Sequence, residues 1–332
     1  MWDASGRIKI QDAKASVSSD KDNIMKAIDP TATSHADSPV CASVNLAVVQ
    51  RLRSWFLNVA ADDLGARNLA GSNHVTLKEC ATTGRLALQL GQHDRAASII
   101  HLGSRMRQLP QSLDYAGFQS LIASWHRYQE RGALAIDHFT NAKESYEKCE
   151  ATATPQYADV VTLLGQCLSD QHEHQRAMRV LGEAGAAWSR CDHDSRLSLE
   201  YAHFLKCVGA CHGEQGQPLE ELKYYLRAKD AYEQCQDGIN PSYAYLLLNL
   251  ALCHGVLRRH AAELEAYTTA KSAFEACGQT DSKASMHIEE WLRANAGTGE
   301  AQVGVSFAVN RCMSRELNTS AHQASNGCCV GS

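Results

Sequence analysis

The stretch "AKESYEKC" at residues 142–149 returns as "AGAAWSRC" at 184–191, "AKDAYEQC" at 228–235 and "AKSAFEAC" at 270–277. The starts lie 42, 44 and 42 residues apart. A second phrase keeps step with it: "YAGFQSLIASW" from Tyr115, "YADVVTLLGQC" from Tyr157, "YAHFLKCVGAC" from Tyr201 and "YAYLLLNLALC" from Tyr243. Both series carry apolar residues at helical spacing and no interior proline. Turn-rich segments separate them, "EATATPQ" at 150–156, "DHDSRLS" at 192–198, "QDGINPS" at 236–242 and "GQTDSKA" at 278–284. Each unit therefore reads as two helices joined by polar turns. One such pair cannot bury its apolar face alone, so the units must stack. The predicted fold is all-α, a right-handed superhelical α-solenoid of antiparallel helix pairs.

Outward from the repeats the pattern changes. Residues 1–41 are rich in Ser, Asp, Ala and Lys without sustained apolar period, and read as a disordered N-terminal segment. From Val44, apolar residues Leu46, Val49, Leu52, Trp55, Phe56 and Val59 predict an amphipathic capping helix within 42–74. The repeat array is assigned to 75–296, as four to five pairs plus a C-terminal helix around Trp291. Residues 297–332 read as a flexible tail.

The whole chain has 332 residues, a formal charge of −5, and 44% hydrophobic against 21% charged residues. That balance supports a packed core and lacks the strongly basic character usual in nucleic-acid binders, so no nucleic-acid partner is expected. No apolar run reaches transmembrane length, and the N-terminus lacks a secretory pattern, so a cytoplasmic location is expected. Thirteen cysteines in 332 residues fall far below the 8–10% of disulfide scaffolds. They are expected as free thiols packing as small hydrophobes.

The residues of the paired helices resemble the tetratricopeptide repeat. Its second helix carries a small residue, a large apolar residue four later and alanine three after that. Here these are Ala135-Phe139-Ala142 and Ala177-Leu181-Ala184, with glutamate in first place in Glu221-Tyr225-Ala228 and Glu263-Tyr267-Ala270. The glutamates imply looser packing. Counting back twelve residues lands on Ala123, Gly165, Gly209 and Ala251, all small, as the resemblance requires. An upstream unit has Ala96, Ile100 and Gly103 with Gly84. The long period and "PxYAxxxxLA" are closest to the subtype in kinesin light chains, which are cargo adaptors that bind extended peptides in a concave groove. The resemblance therefore implies a non-catalytic scaffold with a protein or peptide ligand and no cofactor.

The resemblance implies an inner wall from positions six and three before, and one after, each small residue. These are Gly117, Ser120 and Ser124; Asp159, Thr162 and Gln166; His203, Lys206 and Ala210; Tyr245, Leu248 and Leu252. The wall would run from polar to apolar, with the apolar end of a partner against Tyr245, Leu248 and Leu252. The family's ligand-holding asparagine survives only as Asn249. The alternative is that this apolar end packs on the C-terminal helix.

Cysteines and histidines offer another reading, a metal- or redox-regulated protein. Cys207, Cys211 and His212, and Cys253 and His254, are the tempting groups. Zinc needs four converging ligands, however, and equivalent helices of neighbouring repeats stand about 8–10 Å apart. His126, His212 and His254 share one register position with Leu168, three after the small residue, which points to packing. No catalytic motif is present, and no enzyme activity is expected. The terminal "CCVGS" offers Cys328 and Cys329 as lipidation sites, a minor possibility for membrane attachment.

Overall fold

The computed structural model describes residues 76–106, 112–235 and 240–295. The expected capping helix, both terminal segments, Cys328 and Cys329 lie outside the described residues. Eleven α-helices are described: α1 (Leu77–Gln89), α2 (His93–Ser104), α3 (Leu113–Tyr128), α4 (Gly132–Lys148), α5 (Pro155–Asp170), α6 (His174–Arg190), α7 (Leu199–Glu214), α8 (Pro218–Gln234), α9 (Pro241–Val256), α10 (His260–Ala276) and α11 (Lys283–Asn295). A 3-10 turn, Asp194–Leu197, precedes α7. Among the described residues there is no strand.

Five antiparallel pairs result, α1/α2 through α9/α10, with α11 against the last. The second helix of each pair also packs on the first helix of the next, while α1, α3, α5 and α7 contact one another in series. This is the stacking the period predicts. Buried side chains from α3 to α11 form a continuous core, Phe139, Leu181, Tyr225 and Tyr267 included.

Local chemistry explains where each helix begins. Thr76, Ser112, Thr154, Ser198 and Asn240 are the N-caps of α1, α3, α5, α7 and α9, and each side chain accepts from the backbone N–H three residues on. In the last four that N–H belongs to the repeated tyrosine. Proline at the first helical position, Pro155 and Pro241, completes the "PxYA" phrase, because its fixed φ suits the first turn and its missing N–H costs no bond there.

Each odd-numbered helix up to α9 ends in one turn geometry. Gln92, Arg131, Glu173, Gln217 and Arg259 donate their N–H back to the carbonyls of Ala87, His126, Leu168, His212 and His254. The residue before each donor has positive φ: Gly91, Glu130, His172, Gly216 and Arg258. Three are not glycine, and a left-handed L-residue costs about 1–2 kcal/mol. Replacing exposed Glu130, His172 or Arg258 by glycine should raise stability by about 0.5–1 kcal/mol each, since glycine gives back part of that gain as unfolded-state entropy. Urea midpoints at an unchanged slope check this. A lowered midpoint would show that the native side chain contributes more than the strain removes.

The opening phrase itself is an inter-repeat staple. Lys143 pairs with Glu147 at 3.0 Å, and Glu147 accepts the hydroxyl of Tyr157 from the next unit at 2.9 Å. Two copies later, Lys229 pairs with Glu233 at 2.8 Å and Glu233 accepts from Tyr243 at 2.8 Å. Its cysteine stands at the helix C-cap. Cys191 Sγ lies 3.8 Å from the carbonyl of Ala153, and Cys235 Sγ 3.2 Å from that of Leu197. These two thiols thus close against the preceding linker.

The two glutamates do not loosen the array. A Cβ on Gly213 would stand 2.5 Å from the Glu221 carboxyl carbon, and one on Gly255 would stand 2.5 Å from Glu263 Oε1. Glycine one turn after the small residue therefore makes the room that glutamate fills. The α3 and α5 units, which pack on alanine, carry Arg127 and Ser169 at that place.

Candidate functional site

The first helices of successive pairs present their inner faces side by side, and the predicted wall residues divide there into three groups. Asp159, Gln166 and His203 are half-buried, and Lys206 is nearly closed off at 7% exposure. Arg127, on α3, joins them: its Nη1 donates to Gln166 Oε1 at 2.7 Å. The His203 ring lies against Cys207, with Nε2 3.7 Å from Sγ. This cluster spans three consecutive first helices, α3, α5 and α7.

Thr162 belongs to the core instead. It is fully buried, donates to the Ala158 carbonyl at 2.8 Å and receives Trp188 Nε1 at 3.4 Å. Ser120 is likewise buried, with Gly117, Ser124 and Ala210 half-buried beside the polar cluster.

The expected apolar end is corrected more sharply. Tyr245, Leu248 and Leu252 are 1, 0 and 4% exposed. The Tyr245 ring meets Phe274 of α10 edge-on at 5.0 Å, and α11 packs across both α9 and α10. Eleven consecutive residues of α9, Tyr243 through Cys253, are buried, so this helix is enclosed on every face. Asn249 is buried with them, and its Nδ2 and the Tyr245 hydroxyl have no hydrogen-bond partner among the described residues. The accessible wall contracts to α3, α5 and α7.

Electrostatics set this remaining wall apart from the rest of the array. Burial, with Glu200 adding to it, pushes the Asp159 carboxyl up to about 6 against the pull of Arg85 and Arg127. Asp170, although its side chain reaches solvent, is raised by desolvation, opposed by Arg127 and Lys206. The Lys206 ammonium is pushed down by burial, with Arg127 adding to that and Cys207 and Asp170 opposing it. His203 is held well below its ordinary value by burial, then by Lys206 and Arg127. Asp159 and His203 touch solvent, yet their charged forms are penalised by the surrounding protein.

Arg85, Arg127 and Asp170 were outside the predicted set. Arg85 occupies the position after Gly84, the same place as Gln166 in its own unit. Arg127 and Asp170 stand four and five after the small residue, one turn beyond the predicted positions. Their length carries them into the same field. Charge clustering across units at these offsets was the available signal.

Cysteine and histidine chemistry is quiet by comparison. Burial pushes the Cys167 and Cys207 thiols up to about 12 and Cys211 up to about 11, which disfavours the reactive thiolate. Cys211 and Cys253 point at backbone carbonyls, those of His174 and Pro218, at 3.6 and 3.4 Å. His126 stacks on His138 and His212 on Tyr224, both with centroids 5.3 Å apart. Among the described residues no three His, Cys, Asp or Glu side chains group to hold a metal ion. Nor is any described helix long and apolar enough to cross a membrane.

No family model and no curated protein sequence matches the chain. Solved structures do. A Rap protein complexed with competence and sporulation factor aligns at 13% identity over 93% of this chain and 91% of that one, TM-score 0.59. BtubC (BKLC) from P. vanneervenii aligns at 15% identity over 68% and 91%, TM-score 0.53. The apo form of RapI aligns at 11% identity over 74% and 93%, TM-score 0.51. At such identities the likeness is one of fold. The chain is a tetratricopeptide-like array of helix pairs.

Proposed function

We propose that this tetratricopeptide-like chain is a non-catalytic scaffold that binds an extended protein segment along the concave wall of α3, α5 and α7. The observation that carries this reading is the set of half-buried polar side chains, Asp159 and Gln166 on α5 and His203 on α7, at the wall positions of adjacent helices. Core packing does not need them, and desolvated polar groups facing a cleft gain most from a partner that completes their hydrogen bonds. A curved wall of this kind presents a long surface to an unfolded chain. One structural neighbour, the Rap protein, is described as complexed with a competence and sporulation factor, which agrees with a ligand-binding role for this architecture. The nine described cysteines stand as free thiols, in keeping with a reducing compartment such as the cytosol.

Affinity capture from native-cell lysate, followed by mass spectrometry, tests the reading when the wild-type chain is compared with an Asp159→Ala, Gln166→Ala variant. The variant should lose its specific partners while its helical circular dichroism and urea midpoint stay close to wild type. Retention of every partner would remove α5 from the binding surface. Asn249, Tyr245, Leu248 and Leu252 enter this proposal only if α11 leaves the last pair.

A further inference from the structure

Histidines border the turns inside the helix pairs, and at the α3/α4 turn two of them meet. His126, in the last turn of α3, stacks on His138 of α4 with ring centroids 5.3 Å apart and planes 13° from parallel. His138 Nδ1 lies 2.6 Å from the amide oxygen of Gln119, an acceptor, so this nitrogen carries the proton of the neutral ring. His126 Nδ1 is buried and has no hydrogen-bond partner among the described residues. A proton added there would be an enclosed N–H without an acceptor, and a charge on each ring would set two like charges face to face.

The charged groups around the pair act in both directions. Arg131, in the turn, opposes a positive His126 as His138 does, while Asp137 favours a positive His138. From α2, His93, with Asp94 beside it, reaches the same end of α3 by stacking on Tyr128 at 3.6 Å. The last turn of α1, Leu86–Gln89, carries no charge, and the end of α5 brings the neutral amide of Gln171 against Gly132. Burial is the largest influence at both rings of the pair, and it holds each below its ordinary value.

This corner stands where the core divides. Phe118, Leu121 and Ile122 of α3 belong to a cluster formed with α1 and α2, against which Trp125 packs, whereas Ala116 and Ala123 belong to the core that continues to α11. Trp125 also meets the His126 ring edge-on at 5.2 Å. The last turn of α3 therefore carries both the histidine that meets α4 and two rings, Trp125 and Tyr128, that hold the first pair of helices.

We propose that the stacked His126 and His138 make the joint between the α1/α2 pair and the rest of the array acid-sensitive: mild acid loosens the last turn of α3 and with it the hold on α1 and α2. The neutral rings contribute their full stability above 6.5, the value of a free histidine, and that contribution is lost as pH falls from there toward the lower folded values. At about pH 5.5 each ring whose proton the folded corner excludes shifts the opening equilibrium about tenfold. The α7/α8 turn is the internal control. There His212 Nδ1 lies 2.7 Å from Gln217 Oε1, and the ring stacks on Tyr224 instead of a second histidine.

Amide hydrogen exchange of the full chain at about pH 7.5 and about pH 5.5, with intrinsic rates corrected for pH, tests the proposal. Protection in α1, α2 and the last turn of α3 should fall about tenfold or more relative to α7 and α8. His126→Leu installs the residue that the α5 unit carries at this place, Leu168, and should remove most of that fall, whereas His212→Leu should leave it unchanged. The ring protons of His126 and His138, followed by NMR in the wild-type chain, should titrate below the free-histidine value. An equal fall in wild type and His126→Leu would overturn the proposal, as would one shared evenly by α7 and α8. A His126 that titrates at or above the ordinary value would show that the added proton finds an acceptor, and would overturn it without any variant.

Discussion

Trp188→Ala is expected to lower the stability of the array by about 3–5 kcal/mol, the usual cost of emptying a large aromatic site in a core. Trp188 sits at the end of α6 with 1% of its surface exposed. Its ring meets Tyr201 of the next unit edge-on at 5.5 Å, and its Nε1 donates to Thr162 at 3.4 Å. The substitution would therefore empty a joint between two units and strip Thr162 of its donor. In a stacked array each unit leans only on its neighbours, so the loss falls on the coupling between the α5/α6 and α7/α8 pairs. Urea unfolding should show either a much lower midpoint or an early partial transition. Leu219→Ala, at a side chain 64% exposed, should stay within about 0.5 kcal/mol and serves as the control. A change below about 1 kcal/mol for Trp188→Ala would mean the joint is not formed as described.

Gly209→Ala should also destabilise, by about 1–3 kcal/mol, although alanine is the better helix former by about 1 kcal/mol. A Cβ at Gly209 would stand 2.7 and 2.8 Å from Cδ1 and Cε1 of Tyr225 and 3.3 Å from the Glu221 carbonyl. The tyrosine is buried and cannot swing into solvent, so α7 and α8 must separate. The measurement that isolates this cause is a double-mutant cycle with Tyr225→Ala. The alanine at 209 should cost far less once the ring is gone. Additive losses would place the strain elsewhere.

Much of this molecule was written in its one-dimensional pattern. The period of 42 to 44 residues, the small-to-large register across each pair and the equivalence of the four cysteine phrases all follow from helical spacing and from the need of each pair to bury one face. The same register explains why His126 and His212 pack against rings of the second helix of their own pair. Each repeated tyrosine also follows a Ser, Thr or Asn three residues before it, which the structure identifies as the helix N-cap.

The chain alone could not say which wall positions stay open. Spacing assigns Thr162, Asp159, Tyr245 and Lys206 to equivalent faces, but exposure depends on what the neighbouring units lay over them. Thr162 is consumed by Trp188, twenty-six residues away. Tyr245 and Leu248 are sealed in by α10 and α11, and Glu221 and Glu263 fit because Gly213 and Gly255 leave space. The sequence by itself determined the repeating unit, because periodicity is a property of the chain. The tertiary structure alone decided the chemistry of the wall, because burial and charge pairing belong to side chains brought together from different units.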